Sequence, residues 1–409
     1  MIRIWLGLWG VMSVQAALGA TATAAHAPVL LISLDGFRAD YCGLHPEETP
    51  HLRQLQREGV SARGLIPSFP SQTFTSHYSI VTGLYPAHHG IIGNNFFDPE
   101  LGAVFNYRNT AAQRDAKWWK GEPIWITAVK QGRRSACYFW VGSEVAFGDH
   151  RATIVMPFDY RVSFEKRFEE LFQWLALPGD QRPDIITFYL EETNSTAHYQ
   201  GIDSDATVAA IKLLDERIGR ITRRARLENI PLNLVIVSDH GMAPTNGQTK
   251  TIILDDYVDL KNVQVDFDGP IAGLRPLDGD AGALVRQLAA LPATYKVYRA
   301  EDLPERWHLR DNPRIPAVWV VSEQGWRIQR RAAMASTRDY RLKGEHGYDN
   351  ALELMRGIFI AHGPAFKSGV TIEPVENIHV YNLLCATLGI QPAPNDGDDR
   401  LTRAALVRP

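Results

Sequence analysis

Pro28-Val29-Leu30-Leu31-Ile32-Ser33-Leu34-Asp35-Gly36 is a short, continuous apolar run that ends at a turn signal. A run of that kind reads as a strand buried on both faces, as parallel strands covered by helices are. Similar runs occupy residues 135–140, 184–190, 232–238 and 357–361. Between them, apolar side chains recur at three- and four-residue steps over 50–58, 123–131, 164–175 and 206–227, and residues 377–388 read as a late helix. Strands alternating with helices predict an α/β sheet with helices on both faces. Ligands in such sheets gather beyond the carboxyl ends of the strands. Three polar clusters follow predicted strands directly: Asp35, the segment 191–198, and the pair Asp239-His240. A shared site is therefore expected at that end of the sheet.

The chain of 409 residues is long enough for one large domain or two smaller ones. Residues from about 242 to 341 differ in texture, mixing short strand-like pieces with Gly, Pro and charge, and read as an inserted cap. A net charge of -3 supplies no bulk positive field for nucleic acid, and the only dense basic cluster, Arg220 to Arg226, falls on a predicted helix face. A nucleic-acid duplex is not an expected partner; an anionic substrate would have to be held by local cations. The start of the chain has the form of a signal peptide: Arg3, an apolar run to Ala20, then small residues with cleavage choices within 20–27. No other stretch is long and apolar enough to span a bilayer, so a periplasmic or secreted protein without a membrane partner after signal removal is expected. Cys42, Cys137 and Cys385 allow at most one intramolecular disulfide and have no zinc-ligand spacing; they read as small buried residues. The sequence fixes no oligomeric state.

The chemistry-bearing groups are ambiguous one at a time. Asp35 fits a turn former or a helix cap as well as a ligand. Asp239 and His240 sit side by side at a strand end, where a tight turn would let both face one ion. Asn194 and His198 are four apart, so a helix there would put them on one face. His346 lies between Glu345 and Gly347 in a glycine-flanked loop. Hydroxyls crowd Ser71-Gln72-Thr73-Phe74-Thr75-Ser76-His77, and the motif alone does not single out Thr73.

Their order along the chain is more telling. Leu34-Asp35-Gly36-Phe37-Arg38-Ala39-Asp40, the stretch 69–90, Ser238-Asp239-His240-Gly241-Met242 and His346-Gly347-Tyr348-Asp349-Asn350 together resemble the nucleotide pyrophosphatase/phosphodiesterase family of the alkaline phosphatase superfamily, over about 29–397. The resemblance implies an alkaline-phosphatase-like α/β sheet flanked by helices. It implies two Zn2+, one on Asp35, Thr73, Asp239 and His240, the other on the residue at 194, His198 and His346. Thr73 matches the nucleophile that forms a phospho-threonine, and Asn94 the asparagine that donates to a phosphoryl oxygen. Phe74 matches an aromatic that stacks on a nucleobase and Tyr189 matches a second pocket tyrosine; Phe158 or Tyr160 would supply a further aromatic. The substrate implied is a small nucleotide, cleaved at a phosphodiester or pyrophosphate bond to release a nucleoside monophosphate.

Two departures stand out. The family pattern Glu-Pro-Asp-x-x-Gly-His reads Glu192-Thr193-Asn194-Ser195-Thr196-Ala197-His198 here, so an amide replaces an aspartate ligand and the second ion loses one negative charge. Either the weaker site still works, or another carboxylate such as Glu192 moves in, or the chain is an impaired homologue. Thr75-Ser76 also replaces the usual Pro-Asn beside the nucleophile. The same metal site could instead serve a phospholipid head group, phosphonoacetate or a monoester.

Overall fold

The computed structural model describes residues 27–334 and 341–408. The segment read as a signal peptide lies outside the described residues, Ala27 apart. Twelve strands form the two main sheets: β1 Val29–Leu34, β2 Val60–Ala62, β3 Ser135–Tyr138, β4 Ile154–Met156, β5 Ile185–Leu190, β6 Asn233–Val237, β7 Val263–Phe267, β8 Ile271–Pro276, β9 Tyr295–Arg299, β10 Val318–Ser322, β11 Phe359–His362 and β12 Val370–Ile372. The central sheet runs β12-β2-β11-β6-β1-β5-β3-β4. All of it is parallel except β11, which runs against both β6 and β2.

β1 shows why the apolar run is continuous. It pairs with β5 and β6 on either side, and all six of its residues are buried. Successive side chains point to opposite faces. Val29 and Leu31 enter one hydrophobic core, while Leu30, Ile32 and Leu34 enter the other. The first core is closed by helices α2 (Thr73–Thr82), α3 (Ile124–Lys130) and α7 (His379–Leu388). The second is closed by α1 (Pro50–Glu58), α4 (Phe164–Leu175) and α6 (Asp205–Leu227). The result is three layers, helix on sheet on helix, as the sequence predicts.

Between β6 and β11 the chain builds a second, antiparallel sheet in the order β7-β8-β10-β9, with its own core around Leu274, Val318 and Val320. It falls within the segment read as an insertion. Cys42, Cys137 and Cys385 are free and buried, and burial pushes each thiol up to about 12. No helix among the described residues is long and apolar enough to cross a membrane.

Candidate active site

The carboxyl ends of β1, β5 and β6 lie side by side in the sheet, and each hands the chain to a polar cluster. Asp35 follows β1, Asp239 and His240 follow β6, and helix α5 (Glu192–Gln200) follows β5. The turn after β1 needs Gly36. Its φ is +68°, and a Cβ there would sit 3.0 Å from Asn194 Cα. Glycine thus lets the first turn of α5 press against the Asp35 turn, where the Asn194 N–H donates to the Asp35 carbonyl at 3.0 Å and Thr193 Oγ1 to the same oxygen at 2.6 Å.

Thr73 is the first residue of α2, where a helix leaves its backbone N–H groups without intrahelical acceptors and favours anions. Its Oγ1 lies 3.2 Å from His240 Nε2. That nitrogen is 3.5 Å from Asp35 Oδ1 and 3.1 Å from Asp239 Oδ2. No more than two such distances separate the hydroxyl from either carboxylate. The Thr75 hydroxyl, one of the two departures at the nucleophile turn, ties the turn down by donating toward the Pro70 and Gln72 carbonyls at 2.7 and 2.8 Å. Nothing in the structure explains the serine at 76.

The second group stands against the first. His346 stacks on His240 with ring centroids 3.6 Å apart, and His198 is 5.0 Å from His346. Asn194 and His198 do share a helix. Asp35, Asp239 and His240 form one set of metal-competent atoms within 4.8 Å of one another; His198, Glu345 and His346 form another.

The donor set fits cations. A carbonyl only accepts, so a ring nitrogen beside one must carry the proton. Nδ1 of His240 faces the Gly241 carbonyl at 2.8 Å, Nδ1 of His198 that of Gly344 at 2.9 Å, and Nδ1 of His346 that of Ser71 at 2.9 Å. In its neutral form each of the three imidazoles therefore carries its lone pair on Nε2, the arrangement by which backbone groups orient metal ligands. Asp35 Oδ1, Asp239 Oδ2 and Asn194 Oδ1 are buried without a hydrogen-bond partner, although cationic or neutral ring nitrogens lie near the two carboxylates. Burial of such atoms is costly unless something neutralises them.

The electrostatics agree. Burial, then Asp239, push Asp35 up to about 7, against the pull of His240 and His77. Burial also opposes charge on Asp239, but His240 and His77 outweigh it and hold that carboxyl well below its ordinary range. For His240, burial lowers the basicity but Asp239 more than offsets it, up to about 9. Burial, aided by His240, keeps His346 and His198 below the usual histidine value, and so neutral. Without an ion, then, the first group holds protons that a cation would displace.

Around this centre, Asn94 Oδ1 accepts from the Phe74 N–H at 3.1 Å, and Gln72 Oε1 accepts from the Asn94 N–H at 2.9 Å. Phe74 is 8% exposed, with its ring against Phe105, Tyr107 and Trp119, and it lines the same cleft as Thr73, Tyr189 and Asn194. Tyr189 does more than line it: its hydroxyl donates to Asp35 Oδ2 at 2.5 Å. Phe158 meets the Tyr189 ring edge-on at 6.2 Å and is half exposed at the cleft mouth, as Tyr160 is more fully. Glu192 faces Arg217 and Arg167, with one oxygen 3.8 Å from the latter, so its charge is used there.

Sequence reading missed three participants. His77 sits one helical turn beyond Thr73, donating Nδ1–H to its carbonyl at 2.9 Å and lying 3.2 Å from Asp239 Oδ2, while Nε2 meets Ser33 Oγ at 2.8 Å. The four-residue step from Thr73 and the lone serine inside an apolar strand were the available signals. Gln72 and Glu345 carry no such signal; their roles arise only through space.

A family model for type I phosphodiesterase / nucleotide pyrophosphatase matches residues 29–349. Ectonucleotide pyrophosphatase/phosphodiesterase family member 3 of Bos taurus is 39% identical over 381 residues, which are 90% of this chain and 43% of that protein. An uncharacterized pyrophosphatase/phosphodiesterase of Schizosaccharomyces pombe is 37% identical over 382 residues, 90% of this chain and 78% of the yeast protein. The chain spans less than half the length of the bovine relative. Human ectonucleotide pyrophosphatase/phosphodiesterase 5 superposes with a TM-score of 0.86 at 33% identity, covering 92% of this chain and 99% of that one. An inactive form of the murine counterpart, solved in complex with AMP, gives 0.85 at 34% identity over 93% and 100%.

Proposed function

The chain belongs to the type I phosphodiesterase / nucleotide pyrophosphatase family, and on that premise we propose that it is an exported enzyme that hydrolyses nucleotide phosphodiester or pyrophosphate bonds, with Thr73 as nucleophile and two Zn2+ as cofactors. The observation that carries this reading is the convergence of the Thr73 hydroxyl on two buried carboxylates and on histidines whose Nδ1–H groups are tied to backbone carbonyls. Asp35, Thr73, Asp239 and His240 would hold one ion, and His198 and His346, with the Asn194 oxygen, the other. When bound, such ions supply positive charge to the phosphoryl oxygens and favour the deprotonated threonine.

The residues do the rest. Thr73 Oγ1 attacks phosphorus in line as the bond to the leaving alcohol or pyrophosphate oxygen breaks. Water then cleaves the Oγ1–P bond, so the nucleoside monophosphate departs and the hydroxyl is restored. Asn94, its Oδ1 occupied by the Phe74 N–H, turns Nδ2 to the phosphoryl oxygen. The Thr73 N–H, at the head of α2, is a second donor. Phe74 offers a ring to the base; Tyr189 and Phe158 line the same cleft. The murine relative's complex with AMP supports a nucleotide as the bound group. The segment 242–341 acts as the cap, since Phe267, Asp268 and Pro270 line the same cleft.

The test is turnover of a 4-nitrophenyl ester of thymidine 5′-monophosphate in zinc-containing buffer, beside 4-nitrophenyl phosphorylcholine. Preferred release from the nucleotide ester, lost on chelation, is expected. No release from the nucleotide ester, or a preference for the choline ester, would sink the nucleotide assignment.

A further inference from the structure

The second histidine group contains a carboxylate that the sequence motif does not explain. Two neutral imidazoles and the Asn194 amide would offer a divalent cation no negative charge at all. Glu345 is buried, 7% exposed, and one of its oxygens lies within 4.8 Å of a ring nitrogen of both His198 and His346. We propose that Glu345 is the anionic ligand of the second cation in this chain, standing in for the carboxylate missing at Asn194. The inference rests on the two-cation reading and specifies how that site is completed.

The backbone fixes Glu345 where the role requires. Glu345 pairs with Ala243, in the strand that leaves the Asp239-His240 turn. Next to it, Gly344 packs so closely on α5 that a Cβ there would lie 2.5 Å from the Ala197 carbonyl oxygen. The Gly344 carbonyl is the one that orients His198. The residue before Glu345 thus sets one imidazole and the residue after it is the other. Its Oε2 is 3.1 Å from Arg327 Nε. A carboxylate has about four lone-pair sites, so an ion pair with a guanidinium on one side leaves room for a cation on the other. Glu192, the other nearby carboxylate, is turned to Arg217 and Arg167. The competing view is that Glu345 does nothing but neutralise Arg327, which enters from the inserted segment.

Metal-depleted protein would be titrated with Zn2+ by calorimetry, with zinc per chain counted after dialysis, for the natural chain, Glu345→Gln, and Glu345→Gln combined with Asn194→Asp. Thermal unfolding without metal controls for folding. The natural chain is expected to take up two ions. Glu345→Gln should keep the first and lose second-site affinity by at least the ~10–100-fold that even an outer partner of a metal ligand carries. Asn194→Asp should return it, because the charge is restored from the other side. Two ions bound with unchanged affinity by Glu345→Gln would overturn the inference while leaving the two-cation reading intact. Failure of the double variant to recover the second ion would also overturn it, marking Glu345 as a structural partner of Arg327. Fewer than two ions on the natural chain would remove the two-cation reading itself.

Discussion

Replacing Asn94 by alanine isolates one donor. Asn94 Oδ1 accepts from the Phe74 N–H at 3.1 Å, which fixes the plane of the amide, and among the described residues Nδ2 donates to no protein acceptor. The donor is thus pre-aimed at the cleft that Asn94 shares with Thr73. Removing one such preorganised donor costs ~2.7–4 kcal/mol, or ~10²–10³ in kcat. The stability cost is smaller. Only the Phe74 N–H loses its acceptor, worth ~1 kcal/mol. Asn94→Asp is the internal control: it keeps the acceptor for Phe74 and replaces the donor by a negative charge facing an anionic substrate. Its kcat should fall at least as far. The assay is steady-state release of 4-nitrophenol from the thymidine ester, with thermal unfolding in parallel. A folded Asn94→Ala protein with kcat within about threefold of the natural chain would refute the assignment of Asn94 as a phosphoryl donor.

Thr73→Ala should abolish turnover while nucleoside monophosphate still binds; measurable diesterase activity in that variant would exclude Thr73 as nucleophile. Phe74→Ala should raise KM for the nucleotide ester by the ~1–3 kcal/mol of one base–ring stack, and leave methyl 4-nitrophenyl phosphate unaffected. Equal losses on both substrates would make Phe74 a packing residue only. Zinc uptake by the metal-free protein should release about one proton more near pH 6, where both His240 (about 9) and Asp35 (about 7) are protonated, than near pH 8, where Asp35 is mostly ionised. Calorimetry in buffers of different ionisation enthalpy checks this, and release that does not grow as pH falls contradicts it. Tyr189→Phe removes a hydrogen bond that favours the charged form of Asp35. The pH below which zinc affinity falls should therefore move upward, and no movement would show that the hydroxyl does not tune that carboxylate.

The core of the fold was legible because its strands are buried on both faces. β1, β5 and β6 read as unbroken apolar runs, and the amphipathic pattern of α1, α4 and α6 gave their inward faces. The three-residue strands β2, β4 and β12 are too short to show any period. The inserted antiparallel sheet is covered on both faces, but its strands are short and sit among Gly, Pro and charged residues, and it gave only a change of texture. In the site, Asp35 and Asp239-His240 were visible because they end strands, and Asn194 and His198 because four-residue spacing suits a helix. Thr73 needed the family pattern to stand out from its neighbouring hydroxyls. Tyr189 was assigned to the base pocket from that pattern, yet its hydroxyl is bonded to Asp35. Glu345 and Gln72 act on residues distant in the chain, and no local spacing could have announced them.

Zinc-bound crystals measured at X-ray energies on either side of the zinc absorption edge test the site most directly. Two anomalous peaks are expected: one among Asp35, Thr73, Asp239 and His240, the other between His198 and His346, with Thr73 Oγ1 within ~2.2 Å of the first. Zinc bound only elsewhere, or a Thr73 hydroxyl turned away from every peak, would contradict a metal-activated threonine in this protein.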